Sequence, residues 1–256
     1  MKRVVTALLL IPFFCYIVLW APRWAFLGTI AIVALLCFRE YADLAALHGI
    51  GKPGVFGYVA GLLVLLLPGR NPAFVVLIAI LAMSLALRSS QMAQALPDAA
   101  ALLLGVVYIF GSLRCGVELR AINPYWLFFA LSLNWSGDIA ALYVGRMIGR
   151  HKLAPNVSPG KSWEGAIAST LASVIYGGFY FRSLLPAVPL AEALGLTVVA
   201  NIAGQLGDLC ESALKRGAGV KDSGTLLPGH GGWLDRVDSS LFALPVVYLI
   251  VSNFGW

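Results

Sequence analysis

Two polar blocks hold most of the side chains in this 256-residue sequence that could do chemistry. In NIAGQLGDLCESALKRG (201–217), Asn201, Gln205, Asp208, Glu211 or Ser212, and Lys215 recur at steps of three and four. They therefore share one face of a helix. Polar side chains on the apolar upper part of such a helix line a site or wet cavity, or tie helices together by hydrogen bonds. For Asn201 and Gln205 both readings stay open; Asp208 with Glu211, two carboxylates at a membrane edge, reads as a site. The spacing predicts that this helix stops at Gly217. From Gly217 to Gly232, six of sixteen residues are glycine. The run Pro228-Gly229-His230-Gly231-Gly232 can turn several N–H groups toward one anion. Within KDSGTLLPGHGGWLDRVDS (221–239), Leu234 opens another helix, with Asp235, Asp238 and Ser239 on one face. One carboxylate there serves as a cap, Asp238 being the candidate. Two of them flanking Arg236, directly after a glycine nest, exceed that need. Asp208 and Asp235 stand at the ends of consecutive helices, and a close approach would let them share a divalent cation. Magnesium takes hard oxygen ligands, one or two carboxylates plus substrate phosphates. There is no HExxH and no Cys/His zinc spacing, and only three histidines occur.

A further polar stretch runs from Asn134 to Gly165. Asp138 lies inside an apolar run, and Arg146, Arg150 and Lys152 follow where cations suit a helix C-terminus. Ser158-Pro-Gly-Lys161-Ser-Trp-Glu-Gly ends like a P-loop, but Pro155 stands where the first glycine belongs and no strand precedes it. Hydroxyls and Lys161, in a tight turn before a helix N-terminus, still suit a phosphate. Arg39, Glu40, Asp43 and His48 read as a solvated loop, and Arg114 with Glu118 as an i,i+4 pair.

The elements that position these groups are membrane helices. The chain is 60% hydrophobic and 12% charged, with mean hydropathy +0.86. A soluble domain is about 25% charged. Apolar runs mark nine candidate spans, at about 4–20, 24–38, 55–69, 73–87, 99–118, 124–145, 165–181, 187–207 and 240–254. The N-terminal run has no small-residue cleavage site and reads as a retained first helix. The expected fold is an all-α polytopic membrane protein in one membrane domain. Residues 1–130 form its N-terminal spans, and 134–256 the half that carries the chemistry. With the N-terminus cytoplasmic, thirteen of the 18 Lys and Arg fall on that side. Arg23, Arg70, Arg114, Arg120 and Arg182 fall on the other. The polar loops at 146–164 and 208–239 then share the cytoplasmic face. The net charge of +6 follows from this bias and from anionic lipid headgroups, and does not indicate nucleic-acid binding. The four cysteines read as small buried hydrophobes.

Carboxylates for a metal, cations and glycine-rich backbone on one face suit a polyphosphate and phosphoryl or nucleotidyl transfer. Here the residues carry a resemblance. Ser212-Ala-Leu-Lys-Arg216, Val220-Lys-Asp-Ser223, Leu227-Pro-Gly-His-Gly-Gly232 and Leu234-Asp-Arg-Val-Asp-Ser239 closely resemble the signature of the phosphatidate cytidylyltransferase (CDP-diacylglycerol synthase) family. The match runs without a gap over these 28 residues. Ser158–Gly165 resembles the family's second motif, with Gly160 in place of a lysine and Ser162 in place of a threonine. The resemblance covers the chain from Asn134 on. It implies CMP transfer from CTP to phosphatidate, giving CDP-diacylglycerol and pyrophosphate, with Mg²⁺, in a bacterial cytoplasmic (inner) membrane. A second monovalent or divalent cation is left open, and family members often form homodimers. The resemblance assigns the metal to Asp208 and Asp235. Pyrophosphate then leaves against Lys215, Arg216, Lys221 or Arg236. Ser158, Lys161, Ser212, His230, Gly231, Gly232 and Asp138 are the remaining candidates for contact with substrate. Two other readings stand beside this one. The first is a CTP-using enzyme for another lipid phosphate. The second is a cation transporter using Asp138, Asp208 and Asp235, which would need acids at mid-membrane depth on several helices.

Overall fold

The computed structural model describes residues 12–67, 73–87, 91–227, 229 and 231–256. The start of the first apolar run, Lys2, Arg3, Arg70, Arg88, Pro228 and His230 lie outside them. Helices dominate, and the one sheet among the described residues is a two-stranded hairpin. In chain order the elements are α1 (12–19), α2 (Arg23–Leu47), α3 (Gly54–Leu66), α4 (Ala73–Ala86) and α5 (Met92–Gly105). A π-helical turn (Val106–Gly111) leads into α6 (Ser112–Ile122) and α7 (Pro124–Ile148). Then come β1 (Lys152–Ala154), β2 (Ser158–Ser162), α8 (Trp163–Leu184), α9 (Leu190–Gly217) and α10 (Leu234–Phe254).

Four stretches among the described residues are long and apolar enough to cross a membrane: Met92–Ile122, Pro124–Ile148, Leu190–Gly217 and Leu234–Phe254. Gly54–Leu66 and Val75–Leu85 are shorter apolar helices. α8 carries exposed Ile167, Leu171, Ile175 and Phe179 at every fourth position. Water would not tolerate such a stripe, but lipid does.

Two helix ends follow one rule. α9 ends at Gly217, as its spacing predicts. Gly219 takes φ +74°, its N–H bonds to the Arg216 carbonyl, and that of Val220 bonds to the Lys215 carbonyl. This is a Schellman motif. α2 ends the same way at Gly49 (φ +77°), with the Gly49 and Ile50 N–H groups on the carbonyls of Ala46 and Ala45. α2 therefore runs nine residues past the expected span end at 38. Between Phe38 and Leu47 nothing breaks a helix, and Ala and Leu favour one. Arg39, Glu40 and Asp43 thus lie in a helix, not in the expected loop, and Glu40 is buried.

By its contacts the chain divides into two compact units. One joins Ala21–Arg114 with Leu214–Arg236. Its core closes where glycines meet rings. A Cβ on Gly57 would lie 2.6 Å from Phe38, and one on Gly61 2.2 Å from Phe110. Phe38 stacks edge-on against Tyr58 at 4.9 Å and lies 5.3 Å from Phe110. Only small residues let apolar helices approach so closely.

The other unit holds Phe13–Trp20, Cys115–Ala213 and Val237–Trp256. Phe129, Phe181 and Trp126 pack α7 on α8. Deeper, a polar ladder joins α8 to α9. Asn201 donates to Ser169 and Ser173 (3.3 and 2.9 Å) and accepts from Thr170 and Gln205 (3.0 and 2.7 Å). Gln205 also donates to the Ala166 carbonyl. Asn201 thus holds helices together, as does most of Gln205.

Candidate active site

The unit built on α7, α8 and α9 contains a cavity of about 470 Å³. α7 contributes Asp138 and Arg146, the β2 segment Lys161 and Ser162, and α9 Gln205 and Asp208. Ala141, Leu142 and Leu153 form part of its wall. Lys161 Nζ donates to Asp208 Oδ2, and both side chains are about one third exposed (30% and 32%). Ser212 Oγ sits 3.4 Å from Asp208 Oδ1. Asp138, Lys161, Asp208 and Ser212 are thus gathered in one unit. Arg146 joins them, although its place at a helix end had an ordinary explanation.

The segment before α8 is not the expected tight turn. Lys152–Ala154 pairs antiparallel with Ser158–Ser162, with an irregular register between. Proline and glycine are poor strand residues, so sequence alone hid this hairpin. Ser162 is its last residue and the N-cap of α8; its hydroxyl accepts from Gly165 N at 3.2 Å and is buried. That hydroxyl caps a helix. Ser158 opens β2 and is not among the residues that line the cavity.

His151 N and Nδ1 donate to the Glu164 carboxylate, the ring nitrogen at 2.7 Å. Glu164's own backbone N–H and the His151 ring hold its pKa down to about 2, from an ordinary 4.5. A depressed carboxylate adds stability above its unfolded pKa and loses it as pH falls through the folded value. The melting difference between wild type and Glu164→Gln is therefore expected to shrink as pH drops from 4.5 toward 2. A difference that stays constant across that window would remove the anchoring role.

The other unit holds the glycine-rich loop. Lys215 Nζ donates to Asp235 Oδ1 at 2.5 Å, and both side chains are buried (9% and 5% exposed). Asp235 Oδ2 accepts from Ser223 N (2.9 Å), Ser223 Oγ (2.9 Å) and Gly232 N (2.7 Å). Three of these four donors crowd Oδ2, and Lys215 takes Oδ1. Gly231 (φ +77°) has room for no side chain, since a Cβ there would lie 2.6 Å from Asp235 Oδ2. Gly231 and Gly232 were expected to let a ligand approach closely; here they let Asp235 approach. Beside them lies a second cavity of about 590 Å³, lined by Lys221, Asp222, Gly224, Thr225, Gly231 and Arg236, among others. Arg216 turns to the Val220 carbonyl (3.0 Å) and closes the loop on itself. Asp238 lies inside α10, past its N-terminus, and is not the cap expected of it; its Oδ1 accepts from the neighbouring Ser239 N (2.7 Å). His230 lies outside the described residues.

The residue that sequence reasoning missed is Glu40. Its carboxylate accepts from Trp233 N (3.0 Å), Leu234 N (2.9 Å) and Ser223 Oγ (2.9 Å). The one available signal was an acid in a chain that has only twelve. Its neighbours Arg39 and Asp43 made it look solvated.

Comparison with known proteins gives the family. A profile of the cytidylyltransferase family matches residues 1–254. A phosphatidate cytidylyltransferase of Staphylococcus aureus (strain COL) is 35% identical over 229 residues, covering 86% of this chain and 87% of its own. One from Staphylococcus haemolyticus (strain JCSC1435) is 34% identical over 227 residues, with the same shares of 86% and 87%. One from Bacillus subtilis (strain 168) is 42% identical over 156 residues, 59% of this chain and 58% of its own. With the match running from the N-terminal helices through α10, the chain belongs to the cytidylyltransferase family.

Proposed function

We propose that this protein transfers CMP from CTP to phosphatidate, giving CDP-diacylglycerol and pyrophosphate for phospholipid synthesis. The observation that carries the reading is the likeness to phosphatidate cytidylyltransferases over 86% of the chain. The site chemistry supports it. A cavity with Lys161 and Arg146 against Ala141, Leu142 and Leu153 suits the phosphate of an amphiphile. A glycine-lined cavity with Lys221 and Arg236 suits the pyrophosphate end of a nucleotide.

In this reading a phosphatidate phosphate oxygen attacks the α-phosphorus of CTP. The bond from that phosphorus to the bridging oxygen breaks, and pyrophosphate leaves with the electron pair. A phosphomonoester has its second pKa near 6, so the nucleophile is largely dianionic at neutral pH. No side chain need act as a strong general base. Lys161 orients the lipid phosphate, while Lys221 and Arg236 neutralise the departing charge. Asp208 and Asp235 are the residues we assign to Mg²⁺, which supplies charge neutralisation on phosphate oxygens when bound. Their chemistry fits. Both are hard oxygen donors, and each already holds a cation, the ammonium of Lys161 or of Lys215. A bound ion would compete with the Lys215 ammonium for the Asp235 carboxylate. The same reading gives nine spans, a cytoplasmic N-terminus, the inner membrane and a homodimer. It rests for these on hydropathy, on the Lys and Arg bias and on resemblance.

The test is turnover. Purified protein in detergent, given labelled CTP, phosphatidate and Mg²⁺, makes labelled CDP-diacylglycerol; no product from wild type rejects the reading. Substrate assignment is tested by kinetics. Lys161→Met is expected to raise KM for phosphatidate about tenfold and leave that for CTP nearly unchanged, and Lys221→Met the reverse. Equal effects on both KM values would reject the assignment.

A further inference from the structure

We propose that Glu40 is a positioning residue for the reaction. It is the seat on which the glycine-rich loop and the first turn of α10 are set, so that Asp235 and Lys215 stand where catalysis needs them. This deepens the proposed function and rests on it.

Glu40 is 3% exposed. Its two oxygens receive the N–H groups of Trp233 and Leu234, the residues at the start of α10. A helix N-terminus leaves such donors without intrahelical partners, and an anion is the favoured partner. Glu40 thus caps α10 from 194 residues away in sequence. The third contact, from Ser223 Oγ, falls on the hydroxyl that also touches Asp235 Oδ2. Ser223 is therefore pinned to both Glu40 and Asp235, and the adjacent Gly232, Trp233 and Leu234 N–H groups are divided between the two carboxylates. α2 grips the segment's other end as well. A ring nitrogen of His48, eight residues after Glu40, lies 2.9 Å from the Leu214 carbonyl oxygen. A Cβ on Gly217 would strike that ring at 2.4 Å. Lys215 leaves α9 between these two residues.

Two glycines report the fit. A Cβ on Gly232 would lie 2.3 Å from Glu40 Oε2, and one on Gly224 2.8 Å from Glu40 Oε1. Gly232 is not among the glycines with positive φ. Its backbone could carry alanine, and what excludes a side chain is the Glu40 carboxylate together with the Ser223 hydroxyl that the carboxylate holds in place. The sequence reads Gly232 as making room for substrate. The structure makes it the counterpart of Glu40.

The experiment is a double-mutant cycle with two readouts on the full-length protein in detergent. Glu40→Ala and Gly232→Ala are each expected to lower kcat about 10–100-fold, the usual cost of removing a supporting contact behind a site. KM for CTP and phosphatidate should stay within about threefold, because the loss falls on the transition state. Glu40→Gln keeps the volume but accepts on one atom only, and should recover part of the loss. On the Glu40→Ala background, Gly232→Ala should cost less than about threefold more, because the carboxylate it would strike is gone. The second readout needs no turnover. Trypsin cleavage after exposed Lys221, relative to cleavage after Arg150, should rise about tenfold in Glu40→Ala and in Gly232→Ala. It should rise no further in the double variant. A Gly232→Ala loss equal on both backgrounds, or Glu40→Ala behaving as wild type in either readout, overturns the proposal. Wild type without CTP-dependent turnover overturns the proposed function alone, and the cleavage ratios still decide the seat.

Discussion

Asp235→Asn is expected to destroy turnover and to loosen the protein at the same time. The wild-type carboxylate and the Lys215 ammonium are both almost fully buried. Removing one member of such a pair strands the other charge, which costs about 3–5 kcal/mol. The amide also loses acceptor capacity toward Ser223 and Gly232. Turnover should fall at least 10²–10³-fold, the cost of deleting a charge aimed at the transition state. Adding Lys215→Met separates the two effects. It removes the stranded ammonium, so melting in detergent should return toward wild type. Turnover should stay lost. Recovery of both would make Asp235 a structural anion only, and full activity in Asp235→Asn would end its assignment to the metal.

Asp208→Asn should cost as much turnover and almost no stability. Its pair with Lys161 is about one third exposed on each side. Solvent screens such a pair, and its loss is worth about 0–1 kcal/mol. Turnover should still drop about 10²–10³-fold, and the Mg²⁺ concentration for half-maximal rate should rise in whatever activity remains. A melting shift as large as that of Asp235→Asn would contradict the geometry. Unchanged turnover would remove Asp208 from the site.

These two aspartates show what a sequence can disclose here. Both were legible because helix periodicity is local: Asp208 reads off the steps between Asn201 and Lys215, and Asp235 off the start of an apolar run. The stop at Gly217 was legible for the same reason, since a Schellman turn needs only the residues beside it. Glu40 was not legible. Its partners lie 183 to 194 residues away, and no local pattern marks a carboxylate that caps a distant helix. The hairpin at Ser158–Ser162 was hidden because its residues disfavour strands, and tertiary context overrode them. The glycines were half legible. Their demand for space was plain, but what fills it is Glu40 and Asp235, side chains of the protein itself.

The separation between Glu40 and its partners also bears on biosynthesis. A membrane chain is made and inserted from its N-terminus. α2 is therefore in place long before Trp233 and Leu234 leave the ribosome, and the Glu40 carboxylate waits without the donors it will later hold. Closing so long a loop is slow, because its entropy is lost before the contact forms. Asp235 and Lys215 can be set only after α10 has been synthesised. Until then every nascent chain carries the complete N-terminal half and no seated loop, so capacity for the reaction arrives in one step, once α10 has been made.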